Sequence, residues 1–129
     1  MNLTSYYRSM FFVGALWNWG AAILFCFAYK PIFAWLGMKE LNYPVLMHAF
    51  LILVFVFGIG YYWVSRDINK NHEIVKMGFM GKTLLFILYT YYYLMGDVHL
   101  LIEMCLFVDL VFAVLFMEFL IRARKVKHF

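Results

Sequence analysis

The chain has 129 residues, 67% of them hydrophobic and 14% charged, with a formal net charge of +4 and a mean hydropathy of +0.82. Soluble domains are nearer half apolar, so this excess points to an integral membrane protein whose first partner is the lipid bilayer, and it leaves no room for a soluble domain. The basic residues gather at helix ends rather than over a broad face, which excludes a nucleic-acid partner.

The first apolar run predicts a span over residues 10–29 that stops at Lys30-Pro31, because proline lacks a backbone donor and pushes the preceding residue out of helical geometry. The sequence Cys26-Phe27-Ala28 loosely mimics a signal-peptidase site. The run is nevertheless long enough to span and carries Trp17, Asn18 and Trp19, so it reads as a retained helix. The next segment, Ile32 to Leu36, is too short to cross and is expected in the outer interface with Trp35 as anchor. A second span is predicted over 44–64, with Pro44 in its first turn and Ser65-Arg66-Asp67 at its end. The third and fourth, over 74–95 and 98–120, form a hairpin across Gly96-Asp97, where Asp97 is expected to cap the turn. Runs of about 20 residues suffice for a hydrocarbon core of about 30 Å. They lack strand alternation, so helices must satisfy the backbone in lipid. The expected fold is all-α: a polytopic four-helix transmembrane bundle forming one domain over residues 1–129.

Lysine and arginine set the expected orientation. Arg8, Arg66, Lys70, Lys76, Arg122, Arg124, Lys125 and Lys127 fall on one side, against Lys30 and Lys39 on the other. The positive-inside rule then makes both termini cytoplasmic, as in a bacterial inner-membrane protein. Glu118 stands four residues before Arg122, at ion-pair spacing, and Arg66 and Asp67 are expected to pair or to cap the third helix.

Two ionisable residues interrupt the apolar runs. Lys82 and Asp109 lie about equally far from the Gly96-Asp97 turn, so an antiparallel hairpin brings them to one depth. A lone charge there costs about 3 kcal/mol or more, so the two are expected to face the bundle interior and pair. Asn18 falls near the same depth, flanked by Trp17 and Trp19, which are unusual away from the headgroup level and so line a cavity or a helix contact. Asn18, Lys82, Asp109, Trp17, Trp19 and Tyr92, the last from the cluster Tyr89, Tyr91, Tyr92 and Tyr93, form the candidate ligand site. The same charges read structurally are a pair that fixes helix register.

Nearer the outside, His48, His99 and Glu103 supply ligand types suited to zinc or iron, with His99 and Glu103 on one helical face. A hydrogen-bonded polar pocket is the simpler reading, and no Glu-x-x-His or Cys-x-x-Cys pattern supports the metal. Cys26 and Cys105 read as small buried hydrophobes. Gly14 with Gly20, Gly58 with Gly60, and Gly78 with Gly81 are candidates for close helix approach and for a homo-oligomer, most simply a dimer.

Four short spans with both termini inside resemble DoxX-like proteins and EXPERA-type sterol-binding proteins in topology. The resemblance carries over no site residue. The sequence therefore predicts a small membrane protein that binds or conducts a small hydrophobic ligand or an ion through a polar intramembrane site. The competing readings are a non-catalytic accessory or scaffold protein and a metal- or haem-dependent redox protein. Nothing in it marks an enzyme or names a cofactor.

Overall fold

The computed structural model describes residues 2–39 and 41–129. Its described residues form four helices: α1 (Leu3–Leu36), α2 (Pro44–Arg66), α3 (His72–Leu94) and α4 (Leu100–Lys125). Helices α1, α2 and α4 are long and apolar enough to cross a membrane. Helix α3 is less apolar because Glu73, Lys76, Lys82, two glycines and four tyrosines dilute it.

The first helix does not stop at Lys30-Pro31. It continues through Pro31 to Leu36 with a kink at Ala28, whose φ of −125° and ψ of 16° are non-helical. The proline ring opposes the carbonyl one turn earlier, and the break absorbs that clash. Burial of Phe33 holds the turns beyond it. Gly37 then ends the helix at φ 74°, with its N–H and that of Met38 donating to Ala34 and Phe33 carbonyls. Trp35 remains exposed on this last turn.

The connection from α2 to α3 also differs from expectation. Asp67 does not cap α3. Its carboxylate accepts the Asn69 N–H at 3.0 Å and shapes its own loop, while Asn71 enters α3 at φ 65° without a side-chain cap. At the other turn, the cap of α4 is His99, not Asp97. The His99 ring accepts the Leu101 N–H at 3.1 Å, and the Asp97 N–H instead closes α3 on the Tyr92 carbonyl.

Helices α1 and α2 pack along one another, as do α3 and α4, whereas α2 and α3 touch much less. The two hairpins are joined at the end that carries both termini and the 67–71 loop. Tyr7, Phe11, Tyr61, Val64, Phe116 and Phe119 are fully buried there. Phe11 stacks on Phe116 with centroids 5.1 Å apart, and Phe119 meets both Phe11 and Tyr7 edge-on at 4.9 Å. Such pairs contribute about 0.5–1.5 kcal/mol beyond their buried area. Phe129 closes this end by stacking on Phe119, with its N–H on the Asn69 side chain at 2.9 Å.

Toward the opposite end the hairpins separate. A cavity of about 1400 Å³ lies between them, with Lys39, Asn42, Asp97 and His99 at its mouth.

Candidate functional site

Lys82 is 6% exposed although it carries an ammonium group. Its Nζ lies 2.6 Å from Asp109 Oδ1 and donates to Asn18 Oδ1 at 3.0 Å. The same Asp109 oxygen accepts the Trp17 indole N–H at 3.1 Å. Asp109 Oδ2 receives no hydrogen bond among the described residues, and the aspartate side chain is 19% exposed against 7% for Lys82. The pair therefore turns its lysine inward and part of its carboxylate toward the cavity. Lys82 lies somewhat deeper from the turn than Asp109, and the four-carbon lysine stem spans the difference.

The rest of the lysine's surroundings are aromatic. The rings of Tyr61 and Phe112 each stand with their centroids 5.5 Å from Nζ, and their negative π-faces attract the cation. Gly78, one turn before Lys82, allows this arrangement. A Cβ there would lie 2.5 Å from the Tyr61 hydroxyl.

Asn18 is held from the other side by α2. Its amide donates to the Val54 carbonyl at 3.0 Å, and Trp19 donates to the next carbonyl, Phe55, at 3.2 Å. A side chain one turn C-terminal normally leans over a helical carbonyl. Here that residue after Val54 is Gly58, and a Cβ on it would lie 2.6 Å from the Trp19 ring and 3.2 Å from Asn18 Cβ. The missing side chain at Gly58 thus lets α1 approach α2. That approach aims the Asn18 oxygen at Lys82.

Above this floor the cavity walls are largely apolar, with Phe25, Phe50, Leu51, Phe57, Leu85 and Leu106 among them. Asn18, Lys82, Asp109 and Trp17 all line the cavity, and Tyr89 joins them from α3. A ligand in it would meet hydrogen-bonding groups at one end and hydrocarbon along its length.

The other expected site residues go elsewhere. Trp19 belongs to the α1–α2 contact, its ring against Tyr62 and Phe55 rather than in the cavity. Tyr92 is 44% exposed and packs edge-on against Tyr91. Tyr89 takes the cavity-facing place because it lies two helical turns from Lys82, on the same face, whereas Tyr92 is rotated away from it. His48, His99 and Glu103 do not converge. His48 Nε2 lies 3.2 Å from the Cys26 carbonyl beside the α1 kink, His99 caps α4, and Glu103 accepts the Thr90 hydroxyl. Among the described residues no three His, Cys, Asp or Glu side chains are placed to hold a metal ion. Each of the three residues serves a local backbone or hydroxyl partner, which corrects the metal reading.

Tyr89 and Tyr61 belong to aromatic clusters at the ends of α3 and α2 that the sequence displays without singling out either residue, and Phe112 escaped it, although a signal was available. Gly78 and Tyr89 fall one and two turns from Lys82, and Phe112 falls one turn from Asp109. A charged residue's helical neighbours show what must surround it. No family model, curated protein or solved structure matches this chain.

Proposed function

We propose that this protein is a four-span membrane protein that binds a small ligand in the cavity above Lys82 and Asp109. The observation that carries the reading is a cavity of about 1400 Å³ ending on a buried, hydrogen-bonded ion pair. Ligand sites are concave, mostly apolar and furnished with a few convergent polar groups, and intramembrane charges are functional candidates by default. Binding is favoured over conduction because the aromatic layer of Tyr7, Phe11, Phe116 and Phe119 fills the bundle beyond the floor.

In this reading α3 crosses with its neighbours. It is antiparallel to α4 and 23 residues long, roughly 35 Å at 1.5 Å per residue. Its one mid-helix charge is neutralised inside the protein. The lysine and arginine asymmetry supports cytoplasmic termini and an outward-facing cavity mouth. Cysteine labelling at position 69 only in permeabilised cells, and at position 42 in intact ones, is the expected pattern.

The binding test uses protein purified in mild detergent and an untargeted mass-spectrometric survey of what it retains. Leu85→Trp places a bulky ring in the cavity wall. A species retained by the wild type and lost from a folded Leu85→Trp variant is the expected result. Identical extracts from both would refute binding in this cavity. The competing scaffold reading, in which the pair only fixes register, expects a stable Lys82→Met/Asp109→Asn double variant to keep every associated species.

A further inference from the structure

A second cavity, of about 400 Å³, lies on the outside of the α1–α2 hairpin at the end that carries the N-terminus. It is lined by Arg8 and Arg66, by Ser5, Ser9 and Ser65, and by the rings of Phe12 and Tyr62. The spacing explains the grouping. Ser5, Arg8, Ser9 and Phe12 recur at one-turn intervals on α1, and Tyr62 and Arg66 are one turn apart on α2.

Among the described residues the charges in this groove lack acidic partners. The salt bridges among the described residues involve Lys70, Lys76, Lys82 and Arg122, and none involves Arg8 or Arg66. No carboxylate lines the groove. Arg8 is fixed by its Nε, which donates to the Ser65 carbonyl at 3.1 Å. That bond orients the guanidinium and leaves its two terminal nitrogens for another acceptor. Two arginines lining one groove with serine hydroxyls offer the donor types that suit a phosphate, which accepts several charge-assisted bonds at once.

The apolar side of the groove identifies the source of that phosphate. Phe12 and Tyr62 continue it from the arginines toward the middle of the helices, their centroids 6.3 Å apart, and Phe12 is 43% exposed. A free phosphate has no use for this surface, whereas an acyl chain does. Arg8 stands before and Arg66 at the end of the apolar runs of α1 and α2, and basic pockets between helices at such ends suit anionic headgroups.

We propose that this groove is a binding site for one anionic phospholipid, with Arg8 and Arg66 clamping its phosphate, Ser5 and Ser9 donating to it, and an acyl chain lying along Phe12 and Tyr62. It is independent of the interior cavity and of any ligand there.

The test is native mass spectrometry of the full chain in detergent, titrated with phosphatidylglycerol or phosphatidylcholine. One phosphatidylglycerol per chain should bind more tightly than phosphatidylcholine. Arg66→Gln, which gives up no hydrogen bond within the described residues, should weaken it about fivefold, and Arg8→Gln/Arg66→Gln by the product of two such losses. Arg124→Gln/Lys127→Gln removes the same charge from the exposed C-terminal region and should leave the preference intact. Equal weakening in that control would overturn the site in favour of diffuse attraction. No preference between the two lipids would overturn it outright. Displacement of the lipid by millimolar inorganic phosphate, with equal thermal protection, would overturn the lipid assignment. Should Arg8→Gln not fold, Arg66→Gln against the control decides the matter alone.

Discussion

Where the termini meet, α1 and α4 face one another across interlocked rings: Phe11 on Phe116, Tyr7 on Phe119, and Phe129 over both Tyr7 and Phe119. At the end with Gly37 and the 95–99 turn, the same hairpins are separated by a cavity with apolar walls. The ion pair of Lys82 and Asp109 sits on the boundary between these regions. In lipid, apolar side chains gain little by leaving one hydrocarbon environment for another, so packing and hydrogen bonds decide where helices associate. Large interdigitated rings concentrate those terms at one end. The other end is left to shape a space rather than to hold the molecule together.

The largest effect that could break this comparison lies at the boundary. Lys82→Met or Asp109→Asn should each cost about 3–5 kcal/mol, because the remaining charge is stranded in apolar surroundings. The double change should recover much of the loss, read as reversible unfolding in mixed micelles. Additive losses would show that the two charges do not depend on one another. Next is Phe116→Ala, which opens a hole in the aromatic layer. It should cost about 2 kcal/mol, below the usual figure for a water-driven core because only packing is lost. Met47→Ala in the cavity wall should cost well under about 1 kcal/mol by the same measurement. Equal costs at Phe116 and Met47 would erase the distinction between the ends.

Glycines sharpen the contrast on a smaller scale. Gly58→Ala forces a Cβ against Trp19 and Asn18 and should destabilise by about 1–2 kcal/mol, with Asn18 moved off Lys82. At Gly81 a Cβ meets nothing within 4 Å, so Gly81→Ala should match or slightly exceed wild-type stability. A small loss is also expected at Glu118→Gln. Glu118 pairs with Arg122 at 2.9 Å and accepts the Tyr7 hydroxyl, but the carboxylate and guanidinium are both close to half exposed. Exposed pairs contribute about 0.2–1 kcal/mol, far less than the buried pair, and a thermal melt resolves the difference.

Depth was legible in the sequence and rotation was not, except where a partner forced it. The counts from Gly96-Asp97 give the meeting of Lys82 and Asp109 because helix rise depends little on side chains, and the cost of a stranded charge supplies their direction. The Glu118–Arg122 pair follows from one-turn spacing alone. His48 and Glu103 lie about one turn inside their helix ends and His99 caps α4, yet each has a nearer partner in a carbonyl, a helix terminus or a hydroxyl, so nearness in depth brings nothing together. Pro31 signals a local backbone cost, yet the helix continues through it with Phe33 buried two residues beyond, and burial is not readable from a local signal. The cavity was invisible because it depends on how far the hairpins diverge.

The ion pair has an electrical consequence if the bundle spans as proposed. One unpaired elementary charge crossing a membrane potential of 100 mV changes its energy by about 2.3 kcal/mol. Lys82 and Asp109 together sum to zero whether both are ionised or a proton has passed between them. With their donor and acceptor atoms 2.6 Å apart, such a passage moves charge over a small part of a hydrocarbon core of about 30 Å. The floor of the cavity therefore presents a local dipole with almost no gating charge, and occupancy by an uncharged ligand should be the same in polarised and depolarised membranes.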